Sequence, residues 1–262
     1  MLEDVEQIVA FSDIESLWAY LSKAIAGYGF TRLIYGYTCH RTGNHLGDRR
    51  DLLILTTLPE SYVERFIEGD LWYDAPMVRW GLSNTGANPW NWVAERAARG
   101  ELTEGEQRVF AFNQSQNLTV GYSLSFPKSS LRAAGGIGLG APEGMSQREA
   151  DAIWKAHGRD LWALCNIAHL KIIDLPHTGG RRALTPRQRE ALEWVADGKT
   201  TQDIATIMGL TAATVEKHLR LARETLSVET TAQAVMKASV QNQIFLFETV
   251  STTPDGSNPR LP

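Results

Sequence analysis

Cysteine is scarce in this sequence, which contains only Cys39 and Cys165. Two cysteines so far apart cannot form the disulfide framework of a small secreted domain or a CxxC metal site, so we expect a reducing compartment. No apolar run reaches the roughly 18 residues that cross a membrane. The acidic start MLEDVEQIVA also lacks the basic region and apolar stretch of a signal peptide. We therefore predict a cytoplasmic protein that does not associate with a membrane.

Clusters of residues that carry catalysis or bind metals are also missing. Cys39, His40 and His45 are interrupted by Arg and Gly, and no fourth ligand is near. Cys165 and His169 are four residues apart on one helix face, but a buried thiol beside a hydrogen-bonded histidine is the simpler interpretation. We predict no catalytic constellation, no cofactor and no metal site, and therefore a protein that is not an enzyme.

Charge is distributed unevenly along the chain. Residues 1–180 contain 16 Lys/Arg against 21 Asp/Glu, whereas residues 181–247 contain 9 against 7. A mildly basic C-terminal part behind an acidic body is a weak indication of nucleic-acid contact at the C-terminal end.

The segment LPHTGGRR, residues 175–182, combines Pro, Gly and Arg between two strongly periodic regions and is typical of a linker. We expect a first domain over 1–174, a linker over 175–183 and a second domain over 184–247. The polar, proline-containing residues 248–262 predict a disordered tail.

The first domain mixes helices and strands. Residues 13–27 have the apolar spacing of an amphipathic helix, and RLIYGYTC and LLILTT follow as strands. NLTVGYSLSFP alternates apolar with small residues, and LRAAGGIGLG is its expected partner strand. A long helix over Ser146 to Asp174 ends the domain, with Trp154 and Trp162 widening its apolar stripe. We predict an α+β protein, with an N-terminal α/β/α sandwich around an antiparallel sheet linked to a C-terminal four-helix helix-turn-helix domain.

The second domain has well-marked helix starts. Thr185 and Gln188 have the spacing of a capping box, Pro186 occupies the first helical position, and Gly209 supplies a turn. Four threonines are positioned to cap helices, namely Thr185, Thr200, Thr211 and Thr230.

The third helix of this domain has two different faces. One face is apolar and holds Val215, Leu219, Ala222 and Leu226. The opposite face holds Ala213, Lys217, Arg220, Leu221 and Glu224. A helix pair joined by a tight turn, with such a basic face, has the geometry that enters a DNA major groove. The periodicity alone is equally compatible with a four-helix module that binds protein.

The stretch LTPRQREALEWVADGKTTQDIATIMGLTAATVEKHL closely resembles the DNA-binding domain of LuxR-type transcription regulators. The resemblance implies a double-stranded DNA operator as partner. The residues expected at the DNA are Lys199, Thr200, Thr211, Ala213, Thr214, Lys217, Arg220 and Leu221. Glu216, Thr225 and Thr231 replace basic residues of the family pattern, so we expect weak, salt-sensitive binding per monomer and a need for dimerisation.

The first domain resembles the acyl-homoserine-lactone-binding domain of quorum-sensing LuxR proteins. Pro76, Trp92 and Gly121 match the family pattern. At three polar positions that hold the lactone head in the family, this chain instead has Tyr62 for Trp, Phe66 for Tyr and Ala75 for Asp. Phe66 and Ala75 cannot form the expected hydrogen bonds, so we predict that simple acyl-homoserine lactones are not the preferred ligands.

Further candidate ligand contacts lie around these positions. Ser123 is a candidate pocket hydroxyl, and Tyr73 is among the aromatic residues that could line the cavity, with Tyr35, Tyr37, Trp72, Trp90 and Trp92. Asp74 has two interpretations: a helix N-cap ahead of Pro76, which we favour, or a ligand contact.

The function predicted from these residues is a homodimeric, DNA-binding transcription regulator controlled by a small amphiphilic signal molecule, either an acyl-homoserine lactone or a departure from it. RNA polymerase is a further expected partner. We expect the dimer to form through the long helix, because Trp154 and Trp162 would otherwise be exposed. Two alternatives remain open: a regulator that responds to a protein partner without a ligand, and an enzyme-like sensor domain tethered to DNA.

Overall fold

The structure is a computed structural model that describes residues 1–41, 46–128, 130–177 and 183–245. The chain forms two compact units, Met1–Ala183 and Leu184–Pro262. His45, most of the predicted linker and the predicted tail lie outside the described residues.

A five-stranded sheet forms the centre of the first unit. Its strands are β1 (Arg32–Thr38), β2 (Leu53–Thr56), β3 (Gly86–Pro89), β4 (Gly121–Ser125) and β5 (Ala134–Gly140). Their spatial order is β2-β1-β5-β4-β3, and every neighbouring pair is antiparallel. The predicted pairing of NLTVGYSLSFP with LRAAGGIGLG is confirmed as β4 with β5.

Helices cover both faces of this sheet. They are α1 (Leu2–Ala10), α2 (Ile14–Gly27), α3 (Glu60–Val63), α4 (Pro76–Ser83), α5 (Asn91–Ala98), α6 (Glu104–Ser115) and α7 (Gln147–Asp174). A π-helical segment, Glu64–Glu68, continues α3, and short 3-10 turns cover Arg49–Asp51 and Leu71–Asp74.

The alternation of side chains along each strand produces two separate cores. On one face, Leu33 and Tyr35 of β1 pack with apolar residues of α1, α2 and α7. On the other face, Ile34 and Ile54 pack with residues of α3, α4 and α6, of the segments that follow α3, and with Trp90. Because successive strand residues point to opposite faces, a single strand contributes to both layers. The predicted α/β/α sandwich is confirmed.

The apolar stripe of α7 packs onto its own unit, and the tryptophans beside it do as well. Trp154 stacks on Tyr122 with ring centroids 4.4 Å apart, and Trp162 lies 6.5 Å from Phe126. The expectation that these two side chains would be exposed without a partner is therefore wrong, because Tyr122 of β4 and Phe126, the residue that follows β4, are their aromatic neighbours.

The chain after α7 continues to pack on the first unit. Leu175 and His177 are both buried, at 5% and 7% exposure. The predicted linker 175–183 therefore begins too early. Its Pro and Gly residues are typical of a linker, but Leu175 at its start is a buried apolar residue of the first unit.

Within residues 183–245, the second unit forms four helices, α8 (Pro186–Ala196), α9 (Thr201–Met208), α10 (Ala212–Leu226) and α11 (Thr231–Val240). All four start at the predicted caps, Thr185, Thr200, Thr211 and Thr230. Gly209 ends α9 in the left-handed conformation with φ 65°, which favours glycine. Val215, Leu219, Ala222 and Leu226 are buried in the core of this unit, as predicted. No helix in the described ranges is long and apolar enough to cross a bilayer.

Candidate functional site

A cavity of about 170 Å³ lies in the first unit between the sheet and the helices α3, α4 and α6. Its walls are mainly apolar and aromatic. The aromatic side chains on the helical side come from Tyr62, Phe66, Trp72, Trp80 and Trp90. None of the lining residues in the described part of the chain is Asp, Glu, Lys or Arg. Such a cavity favours a neutral small molecule with a large apolar part.

Glycines form the floor of the cavity. Gly36 and Gly136 lie directly opposite each other in the pairing of β1 with β5, and Gly138 lies opposite Ser123 of β4. A Cβ placed on Gly36 would meet Ile54 Cδ1 at 3.6 Å, an ordinary contact. A Cβ on Gly136 would meet the carbonyl oxygen of Leu124 at 2.7 Å. The glycines contribute no side chains of their own, so their peptide backbone forms part of the cavity surface.

Tyr62 and Asn113 form a buried polar pair on the cavity wall. The Tyr62 hydroxyl donates to Oδ1 of Asn113 at 2.9 Å, and the two residues are 3% and 5% exposed. Burial raises the pKa of Tyr62 above its ordinary value, so the hydroxyl remains a neutral donor. The Asn113 Nδ2 group has no acceptor among the described residues.

Two tryptophans add indole donors to the wall. Trp90 Nε1 donates to Oγ of Ser123 at 2.8 Å. The buried Nε1 of Trp72 has no hydrogen-bond partner in the described part of the chain. The wall thus carries two N–H donors without an acceptor among the described residues, Asn113 Nδ2 and Trp72 Nε1.

Four of the seven predicted ligand-contact residues line the cavity, namely Tyr62, Phe66, Ala75 and Ser123. Tyr73 does not: its ring stacks on Trp72 at 3.7 Å and is 38% exposed. Trp92 does not either, because it lies under the Arg96 guanidinium, 5.7 Å from the ring centroid. Trp90 of the same segment lines the cavity instead.

The structure contradicts the N-cap interpretation of Asp74, and Asp74 is not among the residues that line the cavity. Its carboxylate pairs with Arg79 at 2.9 Å and with Arg108 at 3.3 Å, away from the cavity lining. The N-cap of α4 is Ala75, and no side chain caps that helix start. The 3-10 turn over Leu71–Asp74 places Asp74 and Ala75 in different directions, so only Ala75 lines the cavity.

Asn113 is a polar cavity residue that sequence analysis missed, as it missed Trp80 and Thr38. It follows Phe112 on α6, whose buried residues also include Val109. A single amide beside an apolar helix stripe is the signal that marks it.

The opposite face of the sheet holds a buried histidine. His169 Nδ1 and the Tyr35 hydroxyl are hydrogen-bonded at 2.8 Å, and the imidazole stacks on Phe126 at 4.3 Å. Desolvation lowers the pKa of His169 to about 4. Burial likewise raises the pKa of the neighbouring Cys165 thiol to about 12, so both side chains are neutral at pH 7. Among the described residues, no three His, Cys, Asp or Glu side chains are grouped as a metal ion would require.

The predicted basic face of α10 is at the surface of the second unit. Ala213, Lys217 and Arg220 are exposed, and Leu221 is half-buried. Arg220 forms an ion pair with Glu224 one turn further on, and both side chains are more than half exposed. An exposed pair of this kind contributes only about 0.3–0.5 kcal/mol to the stability of the fold. Breaking it therefore costs little, so the Arg220 guanidinium can leave Glu224 and pair with another anion.

The N-termini of α9 and α10 differ in whether an acidic side chain lies in the first turn of the helix. At α9, Asp203 accepts from the Thr200 amide at 3.0 Å and places a carboxylate beside Lys199 and Thr200. At α10, Thr211 caps the amide of Thr214, and the first turn contains no acidic residue. The α10 start is therefore the better place for a phosphate group.

Comparison with known proteins assigns both units to protein families. Residues 13–172 match the family described as the autoinducer binding domain, and residues 182–238 match bacterial regulatory proteins of the luxR family.

Individual relatives are similar over most of their length. The transcriptional activator protein AnoR of Acinetobacter nosocomialis is 27% identical over 191 residues, which cover 71% of this chain and 76% of the relative. The transcriptional activator protein AhyR of Aeromonas hydrophila is 25% identical over 223 residues, which cover 84% of this chain and 82% of the relative.

One solved structure supports the fold of the first unit. It is the N-acylhomoserine lactone-dependent LuxR-family transcription factor CepR2 from Burkholderia cenocepacia, with a TM-score of 0.50, 16% identity, and coverage of 66% of this chain and 96% of that one. The two family matches, over residues 13–172 and 182–238, show that the chain belongs to the luxR family of bacterial regulatory proteins and carries an autoinducer-binding domain ahead of its helix-turn-helix domain.

Proposed function

We propose that this chain is a transcription regulator whose first unit binds a small amphiphilic signal molecule and whose second unit binds operator DNA. The observation that carries the proposal is the combination of a neutral, aromatic-walled cavity in one unit with an exposed basic helix face in the other. The names of the relatives, which are transcriptional activators, support a regulator rather than an enzyme.

At the DNA, Lys217 and Arg220 are the leading contacts, and α10 is the helix that enters the major groove. Thr211 and Thr214 at the start of α10 are placed to orient a phosphate group, with Ala213 and Leu221 completing the surface. Lys199 and Thr200 have a smaller role, because the Asp203 carboxylate beside them repels phosphate.

The regulator acts as a homodimer in the cytoplasm and makes contact with RNA polymerase. Exposed apolar side chains on α1 and α7 support the dimer, since Leu2, Val9 and Leu170 are 79%, 54% and 63% exposed. The activator names of the relatives support the contact with polymerase.

Control by a ligand is favoured over control by a protein partner alone. The cavity is open and carries polar groups without partners, whereas a regulator that had lost its ligand would have no reason to maintain either. The ligand departs from a simple acyl-homoserine lactone, because Phe66 and Ala75 line the cavity where the family has a hydroxyl and a carboxylate.

The DNA part of the proposal is tested by fluorescence anisotropy with a labelled fragment of the native promoter. The Lys217→Ala, Arg220→Ala double variant should lose at least the binding free energy of one good base contact, which is about 1–3 kcal/mol. Lys23→Ala, Arg148→Ala is the matched control, because both residues are exposed cations on the first unit. Unchanged affinity in the α10 variant, with its circular dichroism spectrum intact, contradicts the proposal.

A further inference from the structure

We propose that Asn113 is the polar ligand contact of the cavity, and that it selects neutral ligands which present a carbonyl or ether oxygen and no N–H donor at this point. The inference rests on the proposed ligand-binding role of the first unit and specifies the chemistry of its ligand.

The orientation of the Asn113 amide determines what it offers a ligand. Tyr62 donates to Oδ1, so Oδ1 faces the tyrosine and the Nδ2 group is left to meet the ligand. The residue is only 5% exposed and lines the cavity, and no described group accepts from Nδ2. A buried amide donor without a partner is a strong site for a ligand's oxygen atom.

Acceptors for a ligand's N–H are in short supply in the same cavity. The Ala75 side chain carries no polar atom, and one of the two lone pairs of the Ser123 hydroxyl oxygen already accepts from Trp90 at 2.8 Å. Thr38 donates to the carbonyl of Leu46 and accepts from the amide of His40. No carboxylate lines the cavity in the described part of the chain.

Trp72 is a second residue of the cavity lining with an N–H donor that has no partner among the described residues. Trp72 lines the cavity and is 3% exposed, and its Nε1 has no partner among the described residues. The two wall groups without a partner among the described residues, Asn113 Nδ2 and Trp72 Nε1, are thus both N–H donors, which favours a ligand oxygen over a ligand N–H.

The test uses two probes that differ in one group. They are N-octanoyl-homoserine lactone and α-octanoyloxy-γ-butyrolactone, in which an ester oxygen replaces the amide N–H. Calorimetry of the full chain, without DNA, should show the ester binding about 5- to 150-fold more tightly, the range that corresponds to one unpaired buried N–H. Equal binding, preference for the amide, or failure of both probes to bind overturns the proposal.

Variants identify the residue responsible. Asn113→Asp supplies a carboxylate at the same place, so the preference should shrink or reverse toward the amide. Gln114→Glu is the matched control, because it makes the same amide-to-acid change at an exposed neighbour on α6 and should leave the preference unchanged. Should Asn113→Asp not fold, Ala75→Asp supplies the carboxylate from the 3-10 turn and must reduce the preference instead. An ester preference that persists in a folded variant contradicts the role of Asn113. Because no DNA is present, failure of this test is distinct from failure of the proposed DNA binding.

Discussion

Arg223 of α10 donates to Glu216 at 3.1 Å, although the two residues are seven positions apart on the same helix. The same guanidinium donates to Oγ1 of Thr231 at 2.8 Å. Glu216 and Thr231 are two of the three positions where this chain lacks a basic residue of the family pattern. Arg223 thus forms hydrogen bonds with the residues at both of these positions. The negative charge of Glu216 is therefore partly neutralised within the unit.

Glu216→Lys should strengthen DNA binding and make it more dependent on salt. The change adds one cation and releases Arg223, so up to two phosphate contacts are gained. Each contact steepens the slope of log K against log salt by about 0.9. Titration of promoter DNA at several KCl concentrations measures this slope. Glu104→Lys makes the same charge change on the exposed surface of the first unit, and an equal response in both variants would show only a general charge effect.

Tyr62→Phe should lower the free energy of unfolding by about 1–3 kcal/mol, because it leaves the buried Asn113 oxygen without its donor. Urea denaturation followed by circular dichroism measures the loss. Tyr73→Phe removes the hydroxyl of an exposed tyrosine three residues after Asp70 and serves as the control. A loss in Tyr62→Phe no larger than in Tyr73→Phe would mean that the polar pair contributes nothing to stability.

His169 should make the protein less stable in mild acid. Its folded pKa of about 4 lies below the value of about 6.5 in an unfolded chain, so between these values only the unfolded state binds the proton. The free energy of unfolding therefore falls as the pH drops from about 6.5 to about 4, and the loss between pH 7 and pH 5 is about 2 kcal/mol.

His169→Gln keeps an acceptor for Tyr35 but cannot take up a proton, so it should remove this part of the loss. His177 retains a smaller contribution, since burial lowers its pKa as well. Urea unfolding at pH 7 and pH 5 measures the difference, with the exposed His157→Gln as control. The same acid loss in His169→Gln as in the unmodified chain would refute the assignment.

Leu170→Glu should weaken the proposed dimer by placing a charge on the exposed apolar surface of α7. Sedimentation equilibrium at micromolar concentration should show a shift toward the monomer. Leu131→Glu changes a leucine that is 95% exposed outside any helix or strand, and it should leave the association unchanged. An equal shift in both variants would assign the dimer to another surface.

The second unit is largely predictable from its sequence because its signals are local. Thr185, Thr200, Thr211 and Thr230 each accept from a backbone amide three residues later, and this contact depends only on neighbouring residues. The apolar spacing of α10 likewise fixes which face is buried. The pairing of β4 with β5 was predictable from the period-two alternation of β4 and the small residues of β5, whereas β3 was not predicted.

The cavity could be predicted only in part, because its residues meet through tertiary packing. Trp90 and Trp92 are two positions apart at the start of a helix, so they point in nearly opposite directions, and the family pattern selected the one outside the lining. Asp74 was misassigned because Arg79 and Arg108, which hold it, come from two later helices. Asn113 depends on Tyr62, 51 residues earlier, and no local pattern joins them.

The glycine floor of the cavity links ligand occupancy to the motion of the sheet itself. A molecule resting on Gly36 and Gly136 touches the peptide groups of two paired strands, with no side chain between to absorb the contact. Opening of the β1–β5 ladder would then require the ligand to leave first. Amide hydrogen exchange in the middle of these strands would slow in proportion to occupancy, which makes the backbone of the sheet a direct reporter of whether the cavity is filled.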